Sequence, residues 1–98
     1  MSRSGQGPQA HHPPAEGLVF PTDFPIKIMG PNCLDFEPQM IAIVRSHAPD
    51  LDISTVEVRQ SRAGNYLSLT VTIRAQSRAQ LDAIYLELTR HPWVKVVL

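Results

Sequence analysis

The sequence predicts an α+β domain of the ferredoxin-like kind, βαββαβ, with a four-stranded antiparallel sheet in the order 4-1-3-2 and both helices on one face. Three observations predict it. Apolar residues alternate at strand period in two runs, Phe24–Ile28 and Leu67–Ala75. Two other stretches, from Phe36 and from Leu81, repeat at helical spacing. Turn and breaker residues separate all six segments, and right-handed crossovers in both halves then leave one sheet order.

Each element has its own signal. The first strand sets Phe24, Ile26 and Ile28 against Pro25, Lys27 and Met29. Pro25 has no amide donor, so it belongs at the strand start or on an unpaired side. Gly30-Pro31-Asn32 breaks the run. Asp35 is the expected N-cap of the first helix, whose face carries Phe36, Met40, Ile43, Val44 and His47. Pro38 falls in the first turn, where a missing N–H costs little, and Pro49 stops the helix. The second strand is expected over Ile53–Ser61, with Val56 and Val58 facing one way and Thr55, Glu57 and Arg59 the other. Arg62-Ala63-Gly64-Asn65 reads as a hairpin turn in which Gly64 or Asn65 takes positive φ.

The third strand sets Leu67, Leu69, Val71, Ile73 and Ala75 against Tyr66, Ser68, Thr70, Thr72 and Arg74, one apolar face and one polar. Ser77 and Gln80 form a capping box. Leu81, Ile84, Tyr85 and Leu88 follow as the apolar stripe of the second helix, and Pro92 ends it. Trp93–Leu98 is the expected last strand. Each helix closes with a His near a Pro, so the two halves echo one another.

Composition narrows the function. The 98 residues suffice for one domain with a thin core. Residues 1–17 hold Gly, Pro and polar side chains without a large aliphatic one, and are expected to be a disordered tail before a domain at 18–98. Nine basic residues balance nine acidic ones. That argues against a general nucleic-acid binder and places no charge barrier against a homodimer. A lone cysteine, Cys33, excludes a disulfide scaffold and a Cys-pair zinc site. A free thiol, with no apolar run of membrane length and no signal pattern, leads us to expect the cytoplasm.

At this point a family resemblance emerges. Phe20-Pro21-Thr22-Asp23-Phe24, Lys27-Ile28-Met29-Gly30, Gly64 to Ile73, Gln80-Leu81, Tyr85, Leu88 and Val94 to Leu98 resemble the YbeD-like bacterial proteins of unknown function, over roughly residues 19 to 98. The resemblance implies a small cytoplasmic ferredoxin-like protein, shaped like the ACT regulatory domains of amino-acid enzymes, with no assigned activity. It also implies a tie to lipoate metabolism, because the family's gene lies near lipoate-attachment enzymes in some genomes. Cys33, Arg59 and Arg62 have no place in the family pattern.

The candidate chemistry is sparse. Cys33 precedes a helix N-terminus, but a nucleophile needs a base beside it, and His47 lies at the far end of that helix, about 18 Å away at 1.5 Å per residue. His47 and His91 read as C-terminal caps against the helix dipole, and the His11–His12 pair reads as part of a solvated tail. The carboxylates are scattered, so no catalytic pair is forced. No cofactor or metal is called for. The open sheet face is expected to show Lys27, Met29, Glu57, Arg59, Tyr66, Ser68, Thr70, Thr72, Lys95 and Val97, and the Gly30–Asn32 loop is a possible anion contact. Trp93 is read as packing under the second helix.

The candidate binding residues are therefore Lys27, Gly30, Asn32, Arg59, Tyr66 and Ser68. The expected function is a non-enzymatic regulatory or adaptor domain for a protein partner or a small anionic effector. The alternatives are an RNA-binding domain of the same topology, for which Tyr66 is the sole central aromatic, and a small enzyme with its site at a subunit interface.

Overall fold

A computed structural model describes residues 17–98. The tail expected over 1–17 lies outside these residues except for Gly17. The elements run β1 (Thr22–Pro31), α1 (Phe36–His47), a 3-10 turn (Ile53–Thr55), β2 (Glu57–Gln60), β3 (Tyr66–Ala75), α2 (Arg78–Arg90) and β4 (Val96–Val97). The sheet order is β2-β3-β1-β4, the expected 4-1-3-2 read from the other edge, and every pairing is antiparallel.

The long β1–β3 ladder, from Thr22↔Ala75 to Pro31↔Tyr66, is the centre of the molecule. Its inner face carries Phe24, Ile26, Ile28, Leu67, Leu69, Val71, Ile73 and Ala75, all buried, against Phe36, Met40 and Val44 of α1 and Leu81, Ile84, Tyr85 and Leu88 of α2. Pro25 sits inside β1. Its nitrogen points toward the β4 side, as Lys27 N–H does when it bonds Leu98 O. The bonds to the last segment reach no further along β1 than Lys27, so among the described residues no partner loses a donor at Pro25.

The helices brace each other at both ends. Ser77 Oγ accepts from Gln80 N–H (3.1 Å), while Gln80 Oε1 accepts from Gln76 N–H (2.7 Å), one residue earlier than a strict capping box. Gln80 Nε2 also donates to His47 O at the end of α1 (2.9 Å). His47 does not cap its own helix through its ring; Nε2 meets Glu87 Oε1 of α2 at 2.7 Å. His91 reciprocates, with Nε2 2.9 Å from Gln39 Oε1 of α1 and Nδ1 accepting from Trp93 N–H.

Four local expectations are corrected. Asp35 makes no side-chain cap bond. It lies in a turn where Phe36 N–H already donates to Cys33 O (3.1 Å). The second strand begins four residues late. Asp52 Oδ1 accepts from Ser54 N–H and Ser54 Oγ, and Thr55 Oγ1 donates to Asp52 O, so these side chains hold Ile53–Thr55 in a turn instead of a ladder. The last strand shrinks to Val96–Val97, because Val94 N–H bonds back to His91 O.

Val97 is the fourth correction. It is buried opposite Ile28, on the inner face. The register pairs Met29 with Val96, yet Lys95 N–H donates to Met29 O (2.8 Å). Two residues thus oppose one, in the manner of a β-bulge, and the alternation slips by one position.

Candidate binding face

The two helices cover one side of the sheet; the other is open. On it the register builds rows. Arg59 stands opposite Ser68, Ser68 opposite Met29, and Met29 opposite Val96, one row across all four strands. The next row holds Glu57, Thr70 and Lys27. On the other side Tyr66 stands opposite Pro31, and Lys95 Nζ lies over the Tyr66 ring, 6.0 Å from its centre. Adjacent rows on one face are about 7 Å apart and adjacent strands about 4.8 Å.

The structure thus brings Lys27, Arg59, Tyr66 and Ser68 onto one surface, with Lys95 on the same face as expected. Met29 and Val96, both half-buried, give it an apolar floor. Among the described residues, Lys27, Arg59 and Lys95 have no carboxylate within 4.0 Å. The other charged pair of this face, Arg74–Asp23, is self-contained at 3.3 Å.

Gly30 and Asn32 are elsewhere. Gly30 is buried and faces inward. A Cβ there would lie 2.5 Å from Phe36 Cζ and 2.7 Å from Trp93 O. The missing side chain makes room for Phe36, so the expected approach of a ligand to this backbone is blocked. Asn32 is committed to the hairpin: its N–H donates to Asn65 O (3.0 Å) and its Nδ2 to Gly64 O (2.8 Å). Gly64, at φ +80°, supplies the positive φ of that turn, and Asn65 does not.

Cys33 is exposed. With Asn32, Leu34, Glu37, Gln60 and Leu67 it lines a shallow depression of about 440 Å³ on the helix side. No group of three or more His, Cys, Asp or Glu able to hold a metal occurs among the described residues, and no helix there is long and apolar enough to cross a membrane. Trp93 is half-buried against the core, its ring 5.3 Å from that of His91.

Sequence reasoning missed Val96, and with it the apolar floor. The run Trp93 to Leu98 carries no sign of the bulge that turns Lys95 and Val96 to the same side.

Fold and face together define a ferredoxin-like domain of the ACT shape. Among solved structures, the ACT domain of GTP pyrophosphokinase from Chlorobium tepidum, determined by solution NMR, superimposes with a TM-score of 0.59 at 18% identity, covering 78% of this chain and 84% of that one. At that identity the likeness concerns the fold. The family described as "Protein of unknown function (DUF493)" matches residues 15–98, and the chain belongs to it. Relatives include UPF0250 proteins of Ralstonia nicotianae, 51% identical over 88% of this chain and 90% of that protein, and of Nitrosomonas europaea, 53% identical over 85% and 97%. A third, from Paraburkholderia phytofirmans, is 56% identical over 81% and 89%. The YbeD-like resemblance therefore holds over most of the chain.

Proposed function

We propose that this protein is a non-enzymatic regulatory module of the reducing cytoplasm whose open sheet face binds a small carboxylate with an apolar body. One observation carries the reading: an apolar floor, Met29 and Val96, is bordered by Lys27, Lys95 and Arg59, cations without a carboxylate partner in the described chain. A carboxylate meeting a lysine gains a charge-assisted hydrogen bond, while its hydrocarbon part covers the floor. Ser68 offers a hydroxyl in the same row. The likeness to a regulatory domain of ACT shape supports the class, and the family's implied tie to lipoate makes lipoate the first ligand to try.

The test is an amide-shift NMR titration of the full chain with lipoate, with fatty carboxylates of increasing length and with amino acids. Shifts confined to Lys27, Met29, Ser68 and Val96, and weakened about tenfold or more in Lys27→Ala/Lys95→Ala, are the expected result, since each lost charge-assisted bond is worth about 1.5–3 kcal/mol. Absence of shifts at millimolar ligand defeats the proposal. So does salt-dependent binding of a mixed RNA pool that is lost in Tyr66→Ala, which would favour the nucleic-acid reading.

A further inference from the structure

The sheet has two edges, and they differ. β4 is two residues long and follows a bulge with Lys95, features that discourage pairing with another chain. β2 is regular, and all four of its residues are exposed. Neither helix packs extensively on it, and β3 is its only strand neighbour among the described residues.

The backbone polarity of β2 follows from the hairpin. Ser61 N–H donates to Tyr66 O, so Ser61 and Tyr66 are a hydrogen-bonded pair. Such pairs alternate along an antiparallel ladder. Arg59↔Ser68 and Glu57↔Thr70 therefore bond inward, while Val58, opposite Leu69, and Gln60, opposite Leu67, turn their N–H and C=O groups outward.

We propose that this edge pairs with the β2 edge of a second copy, antiparallel across a twofold axis at Val58. Residues directly opposite each other in a sheet share a face. With Val58 opposite Val58 of the second copy, Glu57 of each copy stands opposite Arg59 of the other. Glu57-Val58-Arg59 is thus complementary to itself, with two opposite-charge pairs on the open face and a valine pair on the helix side. The outward N–H and C=O of Val58 bond their counterparts in the same register, so side chains and backbone select one alignment.

Two further facts fit. Val58 is 43% exposed and Leu34 is 96% exposed, both large apolar side chains beside this edge. The net charge of zero leaves no repulsion to overcome. A copy with only lysines on the edge would repel itself; this one attracts. The contact joins two four-stranded sheets into one continuous sheet with all helices on the same side. It is short, so the dimer is concentration-dependent and below the size of an obligate interface. Arg59 is then held by the second copy, and the anion site falls to Lys27 and Lys95, which stand away from the seam.

Sedimentation equilibrium on the full chain tests this with charge reversals. Glu57→Arg and Arg59→Glu each replace two attractive pairs by two repulsive ones and should weaken association about tenfold or more. The double variant E57R/R59E restores both pairs in reversed order and should return to within a few-fold of wild type. Circular dichroism of each variant should match wild type, since the substituted positions are exposed. A wild-type chain that stays monomeric at millimolar concentration overturns the proposal, as do single reversals without effect or a double variant that does not recover. Lys27→Ala should leave association unchanged, so failure of the ligand reading and failure of this one are separable.

Discussion

Two residues show how much a single position can decide. Gly30 gives its space to the Phe36 ring on one side and the Trp93 carbonyl on the other. A ring can shift, but a backbone carbonyl in a packed turn shifts less. Gly30→Ala should therefore destabilise the fold by about 1–3 kcal/mol, the usual cost of overpacking a core. A urea midpoint unchanged from wild type would show that the site can open. Tyr85 is buried in the core stripe of α2, and its hydroxyl donates to Leu98 O (2.8 Å), the same oxygen that accepts from Lys27 N–H. Burial pushes the Tyr85 phenol from 10 up to about 12. Below pH 10 the phenol is protonated in both states and stability is unaffected by its titration. Between pH 10 and 12 the unfolded chain releases the proton first, so stability falls as pH rises. In Tyr85→Phe this alkaline slope in the urea midpoint should vanish, while the loss at neutral pH stays near 1 kcal/mol because Leu98 O keeps its other donor.

At the scale of elements, legibility followed periodicity. β1, β3, α1 and α2 were readable because each carries enough turns or alternations for the buried face to declare itself, and all the apolar positions expected in β3 and α2 are in the core. The short strands were not. β2 lost its first residues to Asp52, Ser54 and Thr55, whose side chains offer the backbone local partners as good as a ladder. β4 has no alternation to read, since a bulge changes parity without changing composition. The same two causes set what could be seen of the candidate face. Lys27, Ser68 and Tyr66 follow from strict alternation in long strands. The shared orientation of Lys95 and Val96 depends on one hydrogen bond to Met29. Gly30 illustrates a different limit: a glycine after a strand says that something comes close, and only the packing says whether it is a ligand or Phe36.

For the whole molecule, the βαββαβ order places a pseudo-twofold relation between halves, and the side chains use it. His47 crosses from the end of α1 to α2, and His91 crosses from the end of α2 to α1. The core is entirely apolar among the described residues, so their charged side chains lie at the surface. The open face and the β2 edge share Arg59 and have separate tests, and the sheet between them links their positions.

The β1–β3 ladder has a further consequence, for how the molecule comes into being. Its pairs join positions 35 residues apart at Pro31↔Tyr66 and 53 apart at Thr22↔Ala75. Ordering such distant segments precedes the contacts that reward it, so closure of this ladder is the step expected to limit the rate of folding. During synthesis β1 and α1 leave the ribosome without a sheet partner, and β2 has none until β3 follows. A fragment ending at Ser61 should show a collapsed amide spectrum and little helix, whereas one reaching Leu98 folds in a single step. A dispersed spectrum from the short fragment would mean that the first half carries a nucleus of its own. A collapsed spectrum would mean that Phe24, Ile26 and Ile28 need shielding in the nascent chain until Leu67 to Ala75 arrive.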